Sequence, residues 1–233
     1  MLAENIHGSQ CGHLLQNRMV NDMNKKELEQ RAYSFDMRAD MRDEDTGVIT
    51  GRPIVYDSKT DLGWFDEIIE RGALIGTNLR DVRFLVNHDT SMIPLARSRN
   101  NNANSTMQMT VDDQGLSIRV DLDVKNNSDA RNLYSAIERG DITGMSFMFR
   151  VDDEEWQDLE SDHPTRIIRK ISDVAEVSAV TWPAYEDTSI SVRNKAALDN
   201  AKLALDSARR SLDSDAKELE LAKAKFEAIL KVR

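Results

Sequence analysis

The chain has 233 residues, a formal net charge of −10 and a sequence pI of about 5.0. This acidic balance excludes a general nucleic-acid binder, which needs a basic surface to contact phosphates. Its one cysteine, Cys11, cannot form an internal disulfide. The chain has no apolar run of about 18 residues, the length that a membrane span needs, so we expect no membrane partner.

Composition changes twice along the chain and predicts three parts. Residues 1–30 are polar and rich in Asn, and they lack the basic start and apolar stretch of a secretory signal. We expect them to form a flexible leader. Residues 31–193 carry the strand and turn patterns of a folded domain, and residues 194–233 carry an uninterrupted helical pattern.

The central part alternates apolar and polar side chains over short runs, which indicates half-buried strands. The predicted strands cover residues 31–40, 47–58, 80–89, 105–113, 115–124, 144–156 and 165–182. A short strand followed by a helical turn is expected near Ala73, and a helix over 126–142, capped by Asn127 or Ser128 and ended by Gly140. Strands and long helices do not alternate regularly, which argues against a doubly wound parallel sheet. The pattern favours a mainly β fold with helices (α+β), an antiparallel β-barrel with peripheral helices.

The C-terminal part repeats large apolar residues every seven positions. These are Leu198, Leu205, Leu212, Leu219 and Phe226. Such heptads predict a coiled-coil-like helix, which could pair with a second copy or with a helical partner. The alternative is a lone helix packed on its own domain. The positions three residues after these large apolar residues hold mostly alanines and the charged Asp215, which makes the apolar seam of the helix thin.

Three residues could supply nucleophilic chemistry. His88 ends an apolar strand and can accept a proton near neutral pH. Ser146 follows Gly144 and lies among apolar neighbours, and Glu176 is a carboxylate in an apolar strand that would need a partner such as a histidine N–H. Taken singly, each could also be an ordinary surface or strand residue, so composition alone does not assign a catalytic triad.

Other reaction classes have weaker support. The G-x-S-x-G turn of α/β-hydrolases is absent around Ser146. The sequence has neither H-E-x-x-H nor paired Cys/His spacing, so we expect no metal and no cofactor.

Four motifs occur in an order that carries a family resemblance. A hairpin pattern at 47–58 precedes a segment similar to F-E-x-I-x-x-G-A at 65–73, where Asp66 and Glu67 span the acidic position. N-H-D is followed by P-L-A-R, in which Ala96 replaces a usual glycine. G-M-S-F-M-F follows, with Met148 in place of another glycine, and then E-V-S-A-V-T-W-P-A-Y. Over roughly residues 32–192 the chain resembles the HK97-type phage prohead (capsid maturation) protease family, which is related in fold to the herpesvirus assembly proteases.

The resemblance implies a barrel of the herpesvirus-protease type and a serine endopeptidase that acts through an acyl-enzyme. His88 would be the base, Ser146 the nucleophile and Glu176 the orienting acid, with Asp89 as the alternative acid. The implied substrates are the major capsid protein, its scaffolding segment and the protease itself, inside the procapsid that assembles in the host cytoplasm. The alternative, consistent with the replaced glycines at Ala96 and Met148, is a non-catalytic capsid assembly or scaffolding protein with a degenerate protease barrel.

Overall fold

The computed structural model describes residues 28–34, 37–181 and 195–231. Most of the predicted leader and the predicted domain boundary at residue 193 therefore lie outside the described residues. The described strands are β1 (Glu29–Ser34), β2 (Arg38–Met41), β3 (Thr46–Val55), β4 (Lys59–Asp61), β5 (Asp66–Ile69), β6 (Asp81–Val86), β7 (Ala96–Arg99), β8 (Met107–Asp112), β9 (Gly115–Asp123), β10 (Gly144–Gln157) and β11 (Thr165–Val180). The described helices are α1 (Ser128–Glu138) and α2 (Lys195–Lys231).

The described strands form two sheets that share one core, and they confirm a mainly β fold with helices. The larger sheet runs β1-β10-β11-β5-β4, with β6 paired to β11 and to β7, and the smaller sheet runs β2-β3-β9-β8. Side chains from both sheets interleave in the core, including Ile49, Val120, Phe84, Phe147 and Val177, none of which is exposed. Helix α1 adds Leu133 and Ile137 to this core. The two sheets are not joined by hydrogen bonds into a closed barrel within the described strands, so the barrel stays a prediction.

The expectation of purely antiparallel pairing was wrong. Strand β11 pairs in parallel with β5 over Thr165–Ile168 and with β6 over Glu176–Ala179. Parallel pairs need a long connection between their strands, and the chain travels through much of the domain between β6 and β11. Such pairing depends on topology, which local alternation of side chains does not encode.

One local expectation also needed correction, and two were met. The segment 31–40 splits into β1 and β2, which lie in different sheets. The short strand and the turn expected near Ala73 are present as β5 and as consecutive turns over residues 71–76. Of the two cap candidates, Asn127 caps α1, because its side-chain oxygen accepts from the backbone N–H of Asp129 at 2.9 Å and of Ala130 at 3.2 Å.

Helix α2 packs on its own domain through its N-terminal half. Leu205 is 3% exposed and packs with Leu62 and Phe65, and the Arg209 guanidinium donates to the carbonyl oxygens of Leu159 and Ser161, at 3.3 and 2.8 Å. Further along, Leu219 is 56% exposed. The packed alternative therefore holds for the first half, and pairing of the second half with a partner stays a prediction. Among the described helices, none has both the length and the hydropathy of a membrane-spanning segment.

Five charged side chains meet beside the edge strand β1. This ionic cluster consists of Glu29, Arg31, Glu67, Glu154 and Arg166. Arg31 donates two hydrogen bonds to Glu67, at 2.6 and 2.7 Å, and Arg166 donates two to Glu29, at 2.7 and 2.8 Å. Arg31, Glu67 and Arg166 are each 1% exposed. Because an unpaired buried charge costs several kcal/mol, each of these groups depends on its partners.

We predict that Leu205→Ala lowers the free energy of unfolding by about 2 kcal/mol or more, because it removes a buried side chain and leaves a cavity. The matched control is Leu219→Ala, at an exposed position on the same helix. It should change the free energy of unfolding by less than about 0.5 kcal/mol. Urea unfolding of both variants measures the difference. Equal effects would contradict the packing of α2 on the domain.

The ionic cluster predicts a dependence of stability on pH. Burial raises the pKa of Glu29, but hydrogen bonds from Arg166 and the charge of Arg31 outweigh it and lower the pKa from 4.5 to about 2. A folded pKa below the unfolded value gives a stabilisation that is complete above the unfolded pKa. It is lost as the pH falls from 4.5 to about 2.

The measurement is the unfolding free energy across this pH window in a Ser146→Ala chain, which stays intact if the protein cleaves itself. Adding Glu29→Gln should flatten the pH dependence, whereas Glu44→Gln, at an exposed position, should leave it unchanged. The same slope in all three chains would contradict a stabilising role for ionised Glu29.

Candidate active site

A strained turn at the end of β6 positions His88. Asn87 and His88 have φ values of 52° and 59°, in the left-handed region that residues other than glycine rarely adopt. Two hydrogen bonds to β11 hold this turn: the N–H of Asn87 donates to the carbonyl oxygen of Ala179 at 2.9 Å, and the N–H of His88 donates to Ser178 Oγ at 3.2 Å. Such strain concentrates at functional sites, where the surrounding structure fixes it.

The imidazole of His88 contacts the carboxylate of Glu176. His88 Nδ1 lies in hydrogen-bond contact with Oε1 of Glu176, and Ser178 Oγ donates to the other oxygen, Oε2, at 2.6 Å. The side chains of His88 and Glu176 are 13% and 5% exposed. The structure therefore joins the predicted base and acid directly, and both carboxylate oxygens have a partner.

This contact fixes which ring nitrogen of His88 can accept a proton. An ionised carboxylate only accepts hydrogen bonds, so Nδ1 carries the hydrogen that faces Glu176. In a neutral imidazole, Nε2 is then the acceptor. Nε2 is buried and has no hydrogen-bond partner in the part of the chain that the structure describes. A base with this orientation is the arrangement that nucleophilic serine chemistry requires.

Ser146 lies on β10, the strand beside β11. It is fully buried, and it faces Ser178 on β11 and Ala32 on β1. Its hydroxyl donates to the carbonyl oxygen of Arg31 at 2.7 Å, rather than to His88. Ser178 connects the three predicted residues, because it is the strand partner of Ser146 and contacts both Glu176 and the backbone of His88.

Asp89, the alternative acid, lies away from the imidazole contact. It is exposed, and its Oδ1 accepts from the N–H and hydroxyl of Ser91, at 2.9 and 2.5 Å. These bonds close a short local turn. The geometry therefore favours Glu176 as the partner of His88.

Sequence reasoning missed Ser178 and the position of Arg31. The pattern Glu-x-Ser in a strand places Glu176 and Ser178 on one face. It could therefore have indicated Ser178 as a second hydrogen-bond donor to the carboxylate. The contact between Arg31 and Ser146 joins residues 115 positions apart, and no local pattern encodes it.

One surface group has the composition of a cation site. The ligand atoms of Asp61, Asp66 and His163 lie within 4.8 Å of one another. The Lys59 ammonium already contacts Asp66, and it would compete with a metal ion for that carboxylate. This group lies apart from the contacts of His88 and Ser146.

Comparison with known proteins agrees with the motifs. A family described as caudovirus prohead serine protease matches residues 33–202. The prohead protease of Enterobacteria phage HK97 is 26% identical over 148 residues, which cover 62% of this chain and 59% of that protein. The chain thus spans less than two thirds of the length of this relative. No solved structure matches. On the extent of the family match, the chain belongs to the caudovirus prohead serine protease family.

Proposed function

We propose that this chain is a serine endopeptidase of phage prohead maturation, in which Ser146 is the nucleophile, His88 the base and Glu176 the orienting acid. The observation that carries the proposal is the contact between His88 Nδ1 and Glu176, which leaves the buried Nε2 without a partner in the described residues. Ser146 supports it by its place on the neighbouring strand, opposite Ser178.

The reaction follows from these roles. His88 Nε2 takes the proton of Ser146 as Oγ attacks a peptide carbonyl carbon, and Glu176 stabilises the imidazolium that forms. The protonated His88 then gives this proton to the leaving amine, and an acyl-enzyme remains on Ser146. Water hydrolyses the ester, with His88 again as the base. For this sequence Ser146 must turn its hydroxyl from the Arg31 carbonyl oxygen toward the imidazole.

Family membership suggests the setting and the substrates. We place the activity inside the assembling procapsid in the host cytoplasm, with the major capsid protein, its scaffolding segment and the protease itself as substrates. We also assign the two sheets to the barrel type of the herpesvirus assembly proteases. The exposed stretch of α2 over residues 210–225 is the surface for coiled-coil pairing with a second copy.

A second candidate is a non-catalytic assembly protein with a degenerate protease domain. The replaced glycines at Ala96 and Met148 favour it, as does the engagement of the Ser146 hydroxyl by Arg31. A serine-reactive phosphonate separates the two candidates, because labelling at Ser146 requires an activated hydroxyl.

We predict that Ser146→Ala abolishes cleavage while the domain stays folded. Wild type and variant are each co-expressed with the major capsid protein encoded in the same genome, and intact-mass spectrometry reads the fragments. The matched control is Ser98→Ala, a second fully buried strand serine, which pairs with Val82 at the far end of β6 from His88. Fragments that persist in Ser146→Ala, or that vanish in Ser98→Ala, would contradict the assignment of the nucleophile.

We predict that Glu176→Gln lowers kcat by roughly 100- to 10,000-fold, because an amide neither fixes the His88 tautomer nor stabilises the imidazolium. Ser178→Ala keeps the contact between His88 and Glu176, so we expect it to lower kcat by only about tenfold. Glu70→Gln, at an exposed position, serves as the control. Steady-state cleavage of a peptide spanning a mapped site gives these rates, and wild-type kcat for Glu176→Gln would remove Glu176 from the mechanism.

A further inference from the structure

Strand β1 lies along the nucleophile strand at the edge of the larger sheet. It pairs antiparallel with β10, and Arg31 and Ala32 lie opposite Phe147 and Ser146. The Ser146 hydroxyl donates to the carbonyl oxygen of Arg31 at 2.7 Å. The proposed nucleophile therefore touches the carbonyl group of one particular peptide bond of its own chain, that between Arg31 and Ala32.

The way β1 is held is typical of a bound peptide. An extended segment that adds to a free sheet edge is held by main-chain hydrogen bonds, and side-chain pockets provide specificity. β1 is the outermost strand beside β10.

The Arg31 side chain fills a pocket of complementary charge. Its guanidinium donates to both carboxylate oxygens of Glu67, at 2.6 and 2.7 Å, and lies 5.6 Å from the centre of the Phe149 ring. The side chain is 1% exposed. A planar, two-bond pairing of this kind recognises arginine more specifically than lysine.

A second charge pair holds the residue two positions earlier. The Glu29 carboxylate accepts from Arg166 at 2.7 and 2.8 Å. Glu67 and Arg166 belong to β5 and β11, so both recognising groups come from outside β1. The domain thus offers one anionic and one cationic partner to a strand with the pattern Glu-x-Arg.

We propose that β1 is a tethered substrate, that Arg31–Ala32 is the bond that Ser146 cleaves in its own chain, and that Glu67 and Arg166 select Glu-x-Arg before the scissile bond. This inference rests on the proposed function, because it needs Ser146 to be a nucleophile. It specifies the substrate of that site: an extended segment with Arg at the cleaved position and Glu two residues before it.

The step balances with water as the second reactant. Ser146 Oγ bonds to the Arg31 carbonyl carbon, and its proton passes to His88. The bond from that carbon to the nitrogen of Ala32 breaks, and His88 gives the proton to the released amine. Water then cleaves the ester, which frees a segment ending in the Arg31 carboxylate and restores the Ser146 hydroxyl.

Cleavage would also change access to the site. While β1 stays paired, it occupies the edge of β10 and covers Ser146, so a substrate in trans must displace it. After cleavage, Glu29 and Arg31 belong to the released N-terminal segment, which can dissociate and free the edge of β10 opposite Phe147–Phe149, whereas Ala32–Ser34 stay attached to the domain. β1 then delays action on other proteins until the chain has processed itself.

The first test is intact-mass spectrometry of the full chain, with the new N-terminus read by sequencing. Wild type is expected to yield a fragment that begins at Ala32, and Ser146→Ala is expected to stay whole. Arg31→Gln should slow this cleavage by on the order of 100-fold or more, because it removes the two hydrogen bonds that the Arg31 guanidinium donates to Glu67. Arg38→Gln, an exposed arginine on β2, is the matched control and should cleave like wild type.

A second test does not depend on how well the Arg31 variant folds. The peptide Glu-Gln-Arg-Ala-Tyr-Ser is offered in trans to the processed wild-type protein, beside a peptide with Glu in place of Arg. Cleavage after Arg in the first peptide and none in the second supports the inference. Equal cleavage of both peptides overturns the proposed selection by Glu67.

The outcomes also separate this inference from the proposed function. If wild type cleaves the capsid protein or other bonds of its own chain in a Ser146-dependent way, but leaves Arg31–Ala32 whole, the inference is wrong and the proposed function stands. β1 is then a permanent strand of the sheet. If no Ser146-dependent cleavage occurs at any bond and a phosphonate does not label Ser146, the proposed function fails, and the inference fails with it.

Discussion

The pairing of β10 with β11 is the constraint on which the rest of the structure depends. Their register sets Ser146 opposite Ser178 and Met148 opposite Glu176. Side chains along a strand alternate between faces, so a slip of one residue would place Ser146 on the opposite face from Ser178 and Glu176. Strands β1, β5 and β6 each pair with one of these two strands. An error in this pairing would therefore displace the candidate site and the ionic cluster together.

The same pair of strands explains how distant positions approach β1. The register between β10 and β11 shifts four times between Met148 and Glu154. Shifts of this kind bend a strand and increase its twist. β11 supplies Glu176 and Ser178 to the candidate site and, ten positions before Glu176, Arg166, which donates to Glu29 of β1.

The sequence predicted the local parts of this arrangement and missed the non-local ones. Strands β3, β8 and β9, the long strands β10 and β11, and helix α1 follow from alternation, turn residues and capping. His88 and Glu176 were placed by motif, and their contact agrees with the prediction. The parallel partners of β11 were missed because they depend on the path of the chain between elements. β4 and β7 were missed because runs of three and four residues carry too little alternation to detect.

The ionic cluster could not be predicted from local sequence patterns either, and its buried charges need a physical explanation. Arg31, Glu67 and Arg166 come from three separate strands, and singly each looks like an ordinary surface charge in the sequence. Buried ion pairs are weak contributors to stability, because desolvation offsets much of their attraction. Stability alone is thus a poor explanation for burying two arginines in this cluster. Recognition of a charged strand explains them better, since unpaired buried charges penalise every segment that lacks the matching pattern.

Charge balance also decides whether the released part of β1, Glu29 to Arg31, could leave without damage to the domain. Glu29 and Arg31 carry opposite charges, so their joint departure removes no net charge from the cluster. Arg166 keeps its contacts with Glu67 and Glu154, so neither it nor either carboxylate is left without an oppositely charged partner. A single buried arginine that departed alone would leave Glu67 with weaker compensation and would oppose release. The paired charges of β1 therefore combine tight binding before cleavage with a limited electrostatic cost of dissociation after it, which is what a substrate strand requires and a permanent strand does not.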